Sequence, residues 1–262
     1  ETQFDNIAGI ATIDLISNVG TGDIVDVNYT TATVAGTADT QVVNVNTSEG
    51  VLELAGIEAV TVNTTGSASS MVLTNAAMTS ATVTGTANLT LTGTGSAAIT
   101  TVDASALTGK LTLDVSAAAA TDVTVTAGSG ADTITIGTIS LTDTVDGGAG
   151  ADTITTTAVV TKANAVGVTN VETLKLNLGA DATQSGTAFA VDNYTISSTT
   201  TLMTTVSNTE NTDVFTITTA NATNGDGLTL TAALDTDTNV ANIVIGSTTA
   251  AAAQGDIIAN NV

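Results

Sequence analysis

The sequence predicts an all-β protein: a parallel β-solenoid or β-roll over residues 1–180, then a second β-rich, β-sandwich-like module over 181–262. Three observations predict it. Apolar residues alternate with Thr and Asn, the alternating segments recur at an offset near 20 residues, and a glycine–aspartate nonapeptide occurs twice at that offset.

Alternation of period two places successive side chains on opposite faces of a strand, so it marks strands with one buried face. Segments 41–46, 59–63, 81–84, 89–92, 111–115, 122–126, 132–136 and 152–156 follow it in turn. Segments 172–178, 213–218, 228–231 and 242–245 continue it. No stretch sustains a helical period, and the alanine run 117–120 is too short to count. Val62, Val83, Val102 and Val123 step by 21, 19 and 21 residues, and Leu89 and Leu111 differ by 22. A coil of about 20 residues cannot bury its apolar face alone, so neighbouring coils stack about 4.8 Å apart. Small inward residues suit a thin core, and outward threonines suit exposed strand faces. The pattern weakens before Asp39 and after Asp181. Residues 179–188 read as a loop, beyond which Tyr194, Phe215 and Asn224-Gly225-Asp226-Gly227 suggest antiparallel hairpins.

The nonapeptide Gly147-Gly148-Ala149-Gly150-Ala151-Asp152-Thr153-Ile154-Thr155 fits the pattern G-G-x-G-x-D-x-U-x at every fixed position. Ala127-Gly128-Ser129-Gly130-Ala131-Asp132-Thr133-Ile134-Thr135 copies it 20 residues upstream, with Ala127 for the first glycine. Glycines accept positive φ, so the turn bends tightly with its carbonyls inward. The aspartate closes it with a carboxylate, and oxygen ligands of this kind suit Ca²⁺. Two such turns stacked one coil apart would hold an ion between them. The candidate ligand turns are Gly128, Gly130 and Asp132, and Gly147, Gly148, Gly150 and Asp152, with Asp143 and Asp146 leading into the second. The plainer reading is a pair of β-turns without metal. Asp23 with Asp26, Asp226, and Asp235 with Asp237 are further acidic candidates, whose commoner role is a solvated face.

Composition narrows the partners. Three cations (Lys110, Lys162 and Lys175) stand against 25 acidic residues, a net charge of −22, and no His, Cys, Trp or Pro is present. Basic phosphate contacts cannot be assembled, which excludes nucleic acid, and anionic lipid is repelled. A cation that bridges carboxylates is the attractive partner, and without one the charge opposes compaction. Without His or Cys, neither a Ser-His-Asp nor a Cys-His constellation can form, and zinc loses its usual ligands. A carboxylate pair acting on a neutral glycan stays conceivable, yet no aromatic platform for a sugar ring is apparent. No apolar run approaches the roughly 18 residues of a membrane span. The charged fraction is 11% and the hydrophobic fraction 42%, which argues against disorder of the whole chain. The sequons at Asn28, Asn46, Asn63, Asn88, Asn193 and Asn221 arise readily in a threonine-rich chain and are weak evidence for glycosylation.

Three phrases carry a family resemblance. Gly56-Ile57-Glu58-Ala59-Val60 and Asn170-Val171-Glu172-Thr173-Leu174 resemble the G-[IV]-E-T-[LV] phrase of bacterial surface-layer (S-layer) proteins, departing at Ala59 and Asn170. Asp103-Ala104-Ser105-Ala106-Leu107-Thr108-Gly109 is similar to their D-A-S-[AG]-[LV]-T-G phrase. With the nonapeptides, the likeness covers roughly residues 30–180. It implies a secreted, calcium-dependent structural protein of the RTX class, crystallising into a lattice on a bacterial cell. Carried over residue by residue, the ligand turns are those named above; Ala127 departs from the pattern.

Joined tail to head, Asn261-Val262 and Glu1-Thr2 spell Asn-Val-Glu-Thr, identical to residues 170–173, and suggest a segment of a longer chain. Glu1 opens a polar stretch unlike a signal peptide. The expectation is a non-enzymatic extracellular protein at the bacterial cell surface, stabilised by Ca²⁺ and partnered by copies of itself in a layer, sheath or filament. A cell-surface polysaccharide is a further expected partner; nucleic acid and membrane insertion are not. The alternatives are an adhesin stalk and, more distantly, a glycan-acting enzyme.

Overall fold

The structure, a computed structural model, describes residues 1–16, 20–92, 98–118, 122–178, 182–185, 191, 193–196, 204–209, 213–217, 227–232, 242–245 and 256–260. It is an all-β parallel β-solenoid, and its contacts divide it into two compact units. The first comprises Glu1–Ile136, Thr142–Asp152 and Val168–Asn170; the second comprises Gly137–Leu141, Thr153–Gly167 and Val171–Val262.

In the first unit the chain alternates between two parallel sheets, one strand to each per coil. One sheet takes β1 (Thr2–Ile7), β3 (Ile24–Tyr29), β5 (Glu49–Leu54), β7 (Ser69–Thr74), β9 (Leu89–Thr92), β11 (Leu111–Asp114) and β13 (Thr133–Thr135) in that order. The other takes β2 (Ile13–Ile16), β4 (Thr40–Asn46), β6 (Ala59–Thr64), β8 (Ser80–Gly85), β10 (Thr101–Leu107), β12 (Thr124–Thr126), β14 (Thr144–Asp146) and β16 (Val168–Thr169). A parallel pair needs a crossover, and here the intervening strand of the other sheet provides it.

The two sheets contribute different side chains to the core. The first buries Leu52, Leu54, Met71, Leu73, Leu89, Leu91, Leu111 and Leu113; the second buries Val43, Val45, Val60, Val62, Ala81, Val83, Val102 and Ala104. Long residues on one sheet and short ones on the other fill a thin interior without voids. Leu89 and Leu111 are register partners, as their spacing predicts. The valine row differs from its expectation: Val102 lies opposite Ala81 and Val125, not Val83 and Val123. A slip of two residues leaves every side chain on its predicted face. The cause is a bulge between Asp103 and Ala106.

In the second unit β15 (Thr153–Thr156), β17 (Thr173–Leu176), β19 (Asn193–Ile196), β21 (Val214–Ile217) and β23 (Asn242–Ile245) form one parallel row. The strands β18 (Ala182–Ser185), β20 (Thr204–Thr209), β22 (Gly227–Ala232) and β24 (Asp256–Asn260) form another. The antiparallel hairpins expected here are replaced by parallel pairing throughout the described strands. Tyr194 and Phe215 are not hairpin partners but register partners on parallel β19 and β21, their rings stacked 5.2 Å apart. Residues 221–226, with the hairpin-like Asn224-Gly225-Asp226, lie outside the described residues.

Candidate functional site

The nonapeptides form the corners that lead from β12 into β13 and from β14 into β15, one coil apart. Their glycines sit where backbones approach too closely for a side chain. A Cβ on Gly128 would overlap the Leu107 carbonyl oxygen, one on Gly148 that of Gly128, and one on Gly150 that of Gly130. Gly148 and Gly150 also hold positive φ, +82° and +140°, a region costly for other residues. Gly147 lies under the Asn170 carbonyl oxygen, where a Cβ would overlap. Ala127, at the matching place upstream, is buried and keeps its Cβ, which accounts for the departure from glycine.

The turn carbonyls are taken up by the stacking. The Leu107 oxygen accepts Ser129 N–H at 3.0 Å, and the Gly128 oxygen accepts Ala149 N–H at 3.0 Å. The aspartates extend the same stitching through their side chains. Asp132 accepts Gly128 N–H within its own turn at 3.0 Å and Leu111 N–H from the coil before at 2.7 Å. Asp152 Oδ1 accepts Asp132 N–H at 2.6 Å. Asp146 Oδ1 accepts Gly148 N–H at 3.0 Å and the Asn170 amide at 2.7 Å, while Asp143 Oδ1 accepts Val123 N–H at 2.8 Å. Asp132 and Asp152 are each only 1% exposed, so two carboxylates are buried in successive coils.

Burial pushes the Asp132 carboxyl above its ordinary value, and the Leu111 and Gly128 N–H groups and the Lys110 charge pull it back. All the predicted ligand residues therefore meet on one corner. Their oxygens are the hard kind Ca²⁺ selects, but Ca²⁺ takes six to eight of them. Among the described residues no three acidic side chains converge as a metal-binding group. What the corner displays directly is a column of carboxylates accepting backbone N–H groups between coils.

The remaining phrases also resolve into corner chemistry. Gly56 and Asn170 hold positive φ, +76° and +53°; Ile57 and Val171 behind them are buried, and β6 and β17 begin just after Glu58 and Glu172. Asp103 Oδ1 accepts both the N–H and the hydroxyl of Ser105, at 3.0 and 2.7 Å, across the bulge in β10. These bonds hold the Asp103 carboxyl below its ordinary value. Asp114 and Ser116 repeat the clip at 2.9 and 2.6 Å, a D-x-S signal that the sequence reading passed over at this second place. Asp23 accepts Gly20 N–H, and Asp26 accepts the amides of Gln3 and Asn28. Asp226, Asp235 and Asp237 lie outside the described residues.

An outward row of amides crosses four strands of the second sheet. The Thr84 hydroxyl donates to Asn63 at 2.7 Å, Asn63 to Asn44 at 2.9 Å, and Asn44 to Asp14 at 2.6 Å. Asn63, one of the sequons, is thus engaged in this row. Among the described residues no helix is long and apolar enough to cross a membrane.

The fold and its stitched corners define a β-solenoid built for stacking. Comparison with protein-family models, with curated proteins and with solved structures finds no match.

Proposed function

We propose that this chain is an extracellular structural protein of the bacterial cell surface, which assembles with copies of itself into a layer, sheath or filament. The observation that carries the reading is the regularity of the coils. Strand follows strand in parallel register, and side-chain ladders such as Thr84–Asn63–Asn44–Asp14 repeat the bonding on the outside. Such a surface offers length, stiffness and repetition, which suit assembly. Ca²⁺ is proposed as the counter-ion. In its support, a net charge of −22 opposes close approach of copies, and Asp132 and Asp152 bury carboxylates one coil apart.

The test is electron microscopy of the purified chain in millimolar calcium and then in chelator. Ordered sheets or fibres lost on chelation are the expected result. Order that survives chelation would keep the structural role and remove calcium from it. Monodisperse particles under both conditions would refute assembly.

A further inference from the structure

The second unit carries a surface unlike the rest of the chain. Residues 137–141 and 157–167 form two outward loops bound to each other. Thr157 donates its N–H and its hydroxyl to the Gly137 carbonyl at 2.9 and 2.7 Å, and the Asn164 amide donates to the Ile139 carbonyl at 2.7 Å. The second loop is held from beneath by Gln184, fully buried, which accepts Val160 N–H at 2.8 Å and donates to the Val160 carbonyl at 2.9 Å. The loops are thus fixed features of this corner.

Their outer side chains are apolar. Leu141 is 66% exposed, Val159 38% and Val166 75%, three of the five large apolar side chains exposed among the described residues. Ile139 and Val160, on the same loops, turn inward and are buried. The local charge is also reversed. Residues 153–171 contain no acid and one cation, Lys162, which is exposed, in a chain with 25 acids and three cations. An apolar cluster beside a lone cation is costly to leave in water and is the usual composition of a docking surface.

We infer that this corner, Leu141, Val159, Lys162 and Val166, docks against the acidic outer surface of a second copy of the chain. The inference rests on the self-assembly reading and names the surface through which it acts. Charge complementarity selects the occupant: each copy offers a strongly acidic exterior, and this is its one acid-free, cation-bearing stretch with exposed apolar side chains among the described residues. Such a contact is heterologous, patch to a different face, so it extends into an open array and does not close a dimer.

Sedimentation of the full chain over a range of protein and salt concentrations tests it, with Lys162→Glu and the double variant Leu141→Ser/Val166→Ser beside the parent. Because these side chains are exposed, far-ultraviolet circular dichroism and the melting temperature should match the parent. The expected result is concentration-dependent association of the parent that weakens with salt, reduced about tenfold or more by each variant, as about 1.4 kcal/mol of lost contact gives. Ile16→Ser, at another exposed apolar residue, should associate as the parent does. Variants that associate like the parent would overturn the docking surface while leaving assembly standing. A parent that stays monomeric throughout would overturn both and leave a different protein as occupant of the corner.

Discussion

At the scale of single residues, the corner aspartates and glycines are specified by what the neighbouring coil places against them. Removing the Asp132 carboxylate leaves the Gly128 and Leu111 N–H groups buried without acceptors. Asp132→Ala should therefore cost about 2–4 kcal/mol in urea unfolding. Glycines separate by the same logic. Gly22 holds φ +89° with open space around its Cβ position, so Gly22→Ala should cost about 1 kcal/mol, the conformational penalty alone. Gly148 holds φ +82° and also lies against the Gly128 carbonyl, so Gly148→Ala should cost about 3 kcal/mol or more. Equal effects at the two glycines would show that coil-to-coil approach is not what fixes Gly148.

At the scale of strands, the inner and outer faces carry unequal weight. Leu91 is fully buried on β9, and Leu91→Ala should lose about 2–5 kcal/mol. Asn63→Ala breaks two bonds of an outward row and should lose about 1 kcal/mol. Thermal or urea melts of the two variants read the contrast directly. This two-faced character was fully legible in the sequence, because period-two alternation reports which face is wet. Register was legible only to within two residues. Val83 and Val102 look like partners by spacing, but the bulge held by Asp103 and Ser105 displaces them, and a bulge leaves alternation nearly intact. The nonapeptides were legible as a pair of stacked corners. That their carboxylates accept backbone N–H groups was not, since Asp serves both roles with the same motif. Parallel pairing beyond residue 181 was hidden because Tyr194 and Phe215 suit either kind of sheet. The apolar corner at Leu141 and Val166 was missed because attention followed the acids, whereas its signal is the acid-free run of residues 153–171.

At the scale of the whole molecule, charge governs response to solution conditions. The Asp132 carboxyl is raised, so the native state holds that proton more tightly than the unfolded chain does. Its stabilising contribution is complete below the ordinary Asp value and is lost as pH rises through the folded value. Asp103 is lowered and acts in the opposite sense: its contribution is present above the ordinary value and lost as pH falls through the folded one. The calcium-free chain should then melt highest near the ordinary carboxylate range, about pH 4–5, and at progressively lower temperature toward neutrality. Asp132→Asn should flatten that decline. At neutral pH added salt should raise the melting temperature by screening the net charge of −22. A melting temperature that climbs steadily from pH 5 to 7 without calcium would contradict the assignment of Asp132.

The alternation of strands between two sheets has a mechanical consequence. In the first unit each strand is hydrogen-bonded to the strand one coil away, so the bonds point along the direction in which the coils are stacked. Tension applied along that direction loads each ladder end-on and opens it like a zipper, without the collective resistance of strands sheared past one another. Leu89 and Leu111 mark one such coil, 22 residues apart. Yielding would release chain in instalments of about 70–80 Å of contour, coil by coil, and the detached length would record how many coils had given way.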